Sequence, residues 1–379
     1  MTQFLFVIVA ILLLLLGFIT GSVSKSSITL DSFREFPAFS FSTLRNPTKT
    51  PTQTNSPTPT QTPTPFPLPK TKILENDSHV FQTFNNCGPA ALSMALSYYG
   101  IIKTQEELGA ALRPYQVAGG NNDDKSVTLD EMAEKAKEFG LIPYHRPNGT
   151  ILLLRQFIAL GYPVVTRTLL EENNDIGHYR VIKGYNDITQ ELTQDDSLQG
   201  KNLIYSYETF TRLWKQFQYE YLVLIPPDKE SEIKAILGED ADISKSWAKA
   251  VRNAEKELEK NPDDIYAHFN LSVGLHHTGE YKRAKQEFEK VEHLLPFRML
   301  WYQIEPIQTY FELGEYQKVM DMTEYIFNNQ NRAYAELYII RGNMYKKQGD
   351  IENAKKEYQN AVYYNKNLKS AQEALQSVQ

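Results

Sequence analysis

"FQTFNNCGPAALSMALSYYG", residues 81–100, contains the single cysteine of the chain. The thiol follows two asparagines and precedes Gly88, Pro89 and an apolar run. Ala91, Met94, Ala95 and Tyr98 fall at helical spacing, and Gly100 stops the pattern. Proline in the first turn of a helix sacrifices no hydrogen bond, so Gly88 and Pro89 suit a helix start. The spacing therefore predicts Cys87 at a helix N-terminus, where the macrodipole and free N–H groups favour a thiolate. A lone cysteine is either an inert small hydrophobe in a core or a reactive group.

The residues after this helix read as helices first and strands afterwards. "TQEELGAAL" and "TLDEMAEKAKEFG" open on Thr104 and Thr128, each with a glutamate three residues on, the signature of a capping box. "LLLRQFIALG" predicts a short helix ending at Gly161. "YPVVTRTLL", "GHYRVIKGYN", "NLIYSYETF" and "YEYLVLIP" then read as strands of an antiparallel sheet. The fold class expected for residues 71–230 is α+β.

A thiolate nucleophile needs a base and an oxyanion site. Gln82, five residues ahead of Cys87, offers an amide donor, and the Cys87 N–H is a second. Three histidines occur in this unit. His79 is too near in sequence to reach the thiol comfortably, and His145 falls in "YHRPNG", which reads as a polar loop. His178 follows Gly177 at the start of a strand, where it is held rigidly, and is the favoured base. Asp196, in "DDSLQG", is the first choice to orient the imidazole. Asp195 and Asp187 are alternatives, and Asn186 stays open.

The order Q-x4-C-G-P-A, then G-H-Y-x-V-x-x-G-Y-N-D, then D-S-L-Q-G resembles the bacteriocin-processing double-glycine peptidase family and its stand-alone relatives. The resemblance covers roughly residues 75–228. It implies a papain-like cysteine peptidase, with Gln82, Cys87, His178 and Asp196 as its site residues and no cofactor. Two features depart from the family's pattern. The Gln–Cys spacing is one residue shorter than is usual in papain-like sites, and the turn reads "DDSLQG" instead of Asp-Pro. No ABC transporter core is read after the site, so cleavage of a bacteriocin leader during export is not implied.

Residues 231–379 read as all helix. "HHTGEYKRAKQEF", "FELGEYQKVMDMT" and "KKQGDIENAKKEY" align, and their glycines Gly279, Gly314 and Gly349 are 35 residues apart. Ala284, Phe288 and Val291 follow the first glycine; Ala354, Tyr358 and Ala361 follow the third. The pattern resembles the tetratricopeptide repeat. The middle copy is degenerate, with Val319 and Thr323 at the small and aromatic positions and Pro306 interrupting its first helix. "SWAKAVRNAEKELEKNPDD" reads as a half repeat or a cap. Such an array implies a protein partner on a concave surface, or else a rigid scaffold.

Residues 4–23 carry no charged side chain and reach the roughly 20 residues that cross a bilayer. Segment 1–24 reads as either a signal anchor or a cleaved signal peptide. Lys25 after it weakly favours a cytoplasmic C-terminal side. Segment 25–70 includes "NPTKTPTQTNSPTPTQTPTPFPLP", a Pro/Thr-rich linker of the kind that holds domains off an outer surface. The expected location is extracytoplasmic: tethered to the cell membrane by a single pass, or secreted if the segment is cleaved. A net charge of -6 argues against a nucleic-acid partner.

Two further clusters read as structural. His268, His276 and His277 lack the spacing of a metal set and read as solvated helix histidines. "NNDDKS", residues 121–126, lacks the carboxylate spacing of a calcium loop and reads as a polar turn. Beside the peptidase reading stand two others: an inactive peptide-binding adaptor, and a thiol acyltransferase or amidase on a similar core.

Overall fold

The computed structural model describes residues 67–117, 123–329 and 331–379. The expected membrane segment and all but the last residues of the linker lie outside them. Among the described residues no helix is long and apolar enough to cross a membrane.

The front part is an α+β domain on one sheet. Its strands are β1 (Thr71–Ile73), β2 (Ile142–Arg146), β3 (Val164–Leu169), β4 (Gly177–Asn186), β5 (Glu191–Asp196), β6 (Gly200–Ser206) and β7 (Tyr221–Ile225). The order is β2-β7-β3-β4-β5-β6, with β1 added to β4, and every pairing between these strands is antiparallel. Successive residues of a strand face opposite sides, and the core divides accordingly. Val165, Val181, Leu222 and Leu224 pack beneath helices Cys87–Ser97 and Leu129–Lys137. Val164, Ile182, Val223 and Ile225 pack on the other face, against helices Ile151–Ala159, Tyr207–Trp214 and Glu230–Leu237.

Both predicted capping boxes form. Thr104 and Thr128 each accept from the backbone N–H three residues on, and Glu107 and Glu131 reach back to the threonine N–H. Gly100 and Gly161 take the left-handed conformation that a side chain would oppose. Two expectations fail. "YHRPNG" is not a loop through its length, because His145 lies on β2, paired with Leu222 of β7. "NLIYSYETF" is a strand only to Ser206. There the Ser206 hydroxyl accepts from Thr209 N and starts a helix. The capping bond overrides the strand preference of Tyr207 and Thr209.

Residues after 242 are helical. Helix Ile243–Lys260 packs on Ile265–His277, and the pairs Ile265–His277/Tyr281–Val291, Glu305–Glu312/Tyr316–Asn328 and Ala335–Lys347/Ile351–Tyr364 follow. Gly279, Gly314 and Gly349 turn each pair with positive φ. Pro306 opens a helix instead of breaking one, standing in the first turn of Glu305–Glu312 behind the short helix Met299–Tyr302. Gly342 gives up its side-chain space to the Tyr358 ring.

The two parts share one core. Leu169, Leu213 and Phe217 of the sheet domain belong to the same apolar cluster as Phe269, Met299 and Tyr334 of the helices. Polar ties reinforce it. Gln218 donates to Gln303 at 2.8 Å, and Arg298 pairs with Asp175. Lys125, buried, sits 2.6 Å from Glu131 and 3.0 Å from Glu336. The segment "NNDDKS" is therefore no solvated turn. Its Asp123, Asp124 and Lys125 are buried, and Asp124 bridges Ala333 of the helical part; residues 121 and 122 lie outside the described set. The histidine triplet is not simply solvated either. His276 is half-buried against the Thr309 hydroxyl, and His277 stacks on Trp247.

Candidate active site

Cys87 begins the helix Cys87–Ser97, with its side chain almost wholly buried. Asn86 precedes that helix but does not cap it with its side chain. Its amide instead donates to the Thr83 hydroxyl and the Gln105 carbonyl, and its oxygen accepts from Arg113. The side chain that would ordinarily occupy the first-turn N–H groups is thus directed elsewhere, and the partial positive charge of the helix end is left for the sulfur.

His178 stands at the start of β4, where Gly177 admits the rings of Phe217 and Tyr302 beside it. Its Nε2 lies 2.8 Å from Asp196 Oδ1, both groups buried. That leaves Nδ1 free to face the thiol, which lines the same cleft. Asp196 ends β5 opposite Arg180, whose Nε is 3.1 Å from Oδ2. The N–H groups of Leu198 and Gln199 donate to Oδ1 at 2.7 and 2.8 Å.

Strand geometry separates the rival carboxylates. Asp195 is the neighbour of Asp196 and faces the other side of the sheet, where it meets Lys183 at 2.8 Å. Asp187 follows the far end of β4 and pairs with Arg155 and Tyr207. Asn186 closes the turn there, accepting from Ile188 N. The other two histidines also have separate tasks. His79 Nε2 lies 2.9 Å from the Asp196 carbonyl, behind the turn. His145 sits between Asp130 and Glu220, at 2.5 and 3.4 Å.

Gln82 shares a cleft of about 600 Å³ with Cys87 and His178. Its Oε1 accepts from the Ser197 hydroxyl at 2.8 Å, and its backbone N–H donates to the Ser197 carbonyl. The amide oxygen is thereby engaged and the Nε2 end is left for the cleft. The shorter Gln–Cys spacing does not keep Gln82 from the site.

The charges reinforce one another. Burial raises the Cys87 thiol, but the hydrogen bond and charge of His178, then the Arg167 guanidinium and Ser126, outweigh it and hold the pKa below its ordinary value. Burial lowers His178, yet Asp196 and Cys87 bring its pKa above the usual imidazole range. Burial raises Asp196 too, and His178 and Arg180 reverse the shift downward. Both shifts run in the direction that favours thiolate and imidazolium.

Arg167 is the residue that sequence reasoning missed. It lies on β3, fully buried, with its guanidinium 5.1 to 5.4 Å from the ring centres of Tyr179, Phe217 and Tyr302. Its Nη1 donates to the Tyr302 carbonyl at 3.2 Å, while Nε and Nη2 have no hydrogen-bond partner among the described residues. "VVTRTL" offers one cue, a charge inside a strand that is otherwise buried throughout.

Residues 72–222 match the Peptidase_C39 like family, and residues 335–368 match the tetratricopeptide repeat. The front of the chain thus carries a C39-like peptidase domain, and a tetratricopeptide repeat stands toward its C-terminus. Similar solved structures include a putative C39-like peptidase from Bacillus anthracis, 19% identical, covering 41% of this chain and 98% of that one with a TM-score of 0.35. The peptidase domain of Streptococcus ComA, a bifunctional ABC transporter of a quorum-sensing pathway, is 20% identical, with coverage of 41% and 98% and a TM-score of 0.31. A MamA fragment from Desulfovibrio magneticus RS-1 is 18% identical, with coverage of 40% and 90% and a TM-score of 0.29. No curated protein matches the chain.

Proposed function

We propose that the protein is a cysteine peptidase of papain-like mechanism, with Cys87 as nucleophile, His178 as acid and base, Asp196 as the group that orients the imidazole, and Gln82 as an oxyanion donor. The thiolate attacks the carbonyl carbon of a peptide bond, and the carbonyl π electrons move to oxygen. The Gln82 amide and the Cys87 N–H receive that oxyanion. The imidazolium gives its proton to the leaving nitrogen, the C–N bond breaks, and a thioester to Cys87 remains. His178 then takes a proton from water, hydroxide adds to the thioester, and the thiol departs with the proton returned by the imidazolium.

The observation that carries this reading is one buried imidazole bonded to the Asp196 carboxylate and lining the same open cleft as the Cys87 sulfur. Cys87→Ala is expected to abolish peptide hydrolysis while the far-UV circular dichroism stays that of the wild type. Hydrolysis surviving that substitution refutes the assignment. Accumulation of an aminolysis product in place of hydrolysis, when an amine acceptor is added, would support the transferase alternative.

The hydropathy of residues 4–23 and the Pro/Thr stretch behind them support a site of action at the outer face of a membrane. Fractionation of producing cells, with protease added to intact cells, tests this. Recovery of the protein in the cytosolic fraction, protected from protease, overturns it.

A further inference from the structure

The helical part does more than adjoin the peptidase domain: it supplies one wall of the cleft that holds Cys87. Arg298, Trp301 and Tyr302 line that cleft opposite residues of the sheet domain. The wall is fixed. Arg298 pairs with Asp175, one residue before Ile176, and the Tyr302 carbonyl accepts from Arg167. The shared apolar core lies behind it.

The mouth of the cleft is apolar on both sides. Ile176 and Leu198, which flank His178 and Asp196 in sequence, are 43% and 51% exposed. Trp301, its ring 5.3 Å from the Arg298 guanidinium, lines the same cleft. The Trp301 indole N–H is shielded from solvent and has no hydrogen-bond partner among the described residues. Large apolar side chains left exposed around a concave site mark a place where a ligand covers them.

We infer that this slot, formed by Ile176 and Leu198 of the sheet domain and Trp301 of the helical domain, binds a large apolar side chain of an extended peptide substrate next to the scissile bond. The inference rests on the reading of the cleft as a peptidase site. It makes the repeat domain a determinant of specificity within the catalytic cleft, in addition to any partner it recruits. A peptide is the fitting occupant because these apolar side chains line the same cleft as the nucleophile.

The test uses full-length protein. A randomised hexapeptide library is panned against the Cys87→Ala protein, and the best binder is compared by calorimetry with versions carrying alanine at each position. One large apolar position is expected to contribute at least about tenfold in affinity. In the Cys87→Ala/Trp301→Ala protein that contribution collapses, and Trp301→Phe restores most of it. Wild-type protein should cleave the same peptide beside that residue. In the cysteine-bearing Trp301→Ala protein, KM for that peptide should rise by a similar factor with kcat little changed, and an unaltered rate of Cys87 alkylation by iodoacetamide verifies that the dyad survives. An apolar preference that persists in full without Trp301, or the absence of any such preference, overturns the proposal. Selective binding without cleavage by the wild type would leave the slot standing and sink the peptidase reading.

Discussion

Ser197 and Gln82 hold each other by two bonds: the serine hydroxyl donates to the glutamine Oε1 at 2.8 Å, and the glutamine backbone N–H donates to the serine carbonyl at 2.8 Å. Ser197 also directly follows Asp196, which orients His178. Two consecutive residues of one turn therefore hold both the imidazole proposed as base and the Gln82 amide. Ser197→Ala should lower kcat about tenfold, with KM nearly unchanged. Removing one oxyanion donor outright costs roughly 100- to 1,000-fold, so Gln82→Ala should be worse. The double variant should be no slower than Gln82→Ala alone, because the serine acts only through the amide. Iodoacetamide alkylation of Cys87, which makes no oxyanion, should not change in Ser197→Ala. Equal losses in alkylation and hydrolysis would show a collapsed site instead.

The dyad predicts a pH profile with two limbs. Cys87 is lowered and His178 raised, and the proposed mechanism places the ion pair between the two ionisations. Activity falls below the Cys87 pKa, where the thiolate is protonated, and above the His178 pKa, where the acid is lost. Alkylation of Cys87 should stay fast near pH 6, where a thiol ionising at about 8.5 is almost entirely protonated. His178→Ala should move the alkylation midpoint upward. A wild-type midpoint near 8.5 would mean that the ion pair does not form.

Arg167 offers a separate handle on the thiol. Its charge favours the thiolate from inside a cage of three aromatic rings. Arg167→Met keeps much of the packing and removes the charge. The alkylation midpoint should rise by about one unit. The Tyr302 carbonyl also loses its donor, at a stability cost of about 1–3 kcal/mol, read from a urea midpoint. An unchanged alkylation profile would restrict the guanidinium to a packing role.

His145 links pH to stability. Burial lowers its pKa, but Asp130 and Glu220 more than compensate and hold it near 10. A group raised on folding stabilises fully below its unfolded pKa, about 6.5, and the contribution fades as pH rises through the folded value. Asp130 is mostly exposed, so solvent screens its share and the net effect is on the order of 1 kcal/mol. His145→Gln should therefore be less stable than wild type at pH 6, with the gap closing toward pH 10. Urea unfolding at the two pH values measures it, and a gap that is constant with pH would remove the charge from the explanation.

Much of the fold was legible because local rules carried it. The threonine capping boxes, the glycines at helix ends and the repeat spacing all depend on residues a few positions apart. Gly177–Asn186 read as a strand because its apolar and β-branched run is bounded by turn residues. β2 was hidden because "IPYHR" contains a proline and two polar side chains; only its pairing with Tyr221–Ile225 makes it a strand. β1 was hidden in the same way, as three residues behind a Pro-rich stretch that extend only by pairing with β4. At the site, Cys87, His178, Asp196 and Gln82 each stood in a readable local motif. Arg167, Ser197 and Trp301 did not, since their tasks come from contacts spanning 115 residues in one case and 135 in another.

The placement of Lys125 has a consequence for dissection of the molecule. Its ammonium is enclosed by Glu131 from the front half and Glu336 from the back. Truncating the chain after the last strand would strip away one of those counter-ions, bare Leu169, Leu213 and Phe217 to water, and deprive Arg167 of its carbonyl. A severed front half should consequently emerge as a sticky remnant, and any transplant of this sheet domain into another scaffold has to carry the helices along.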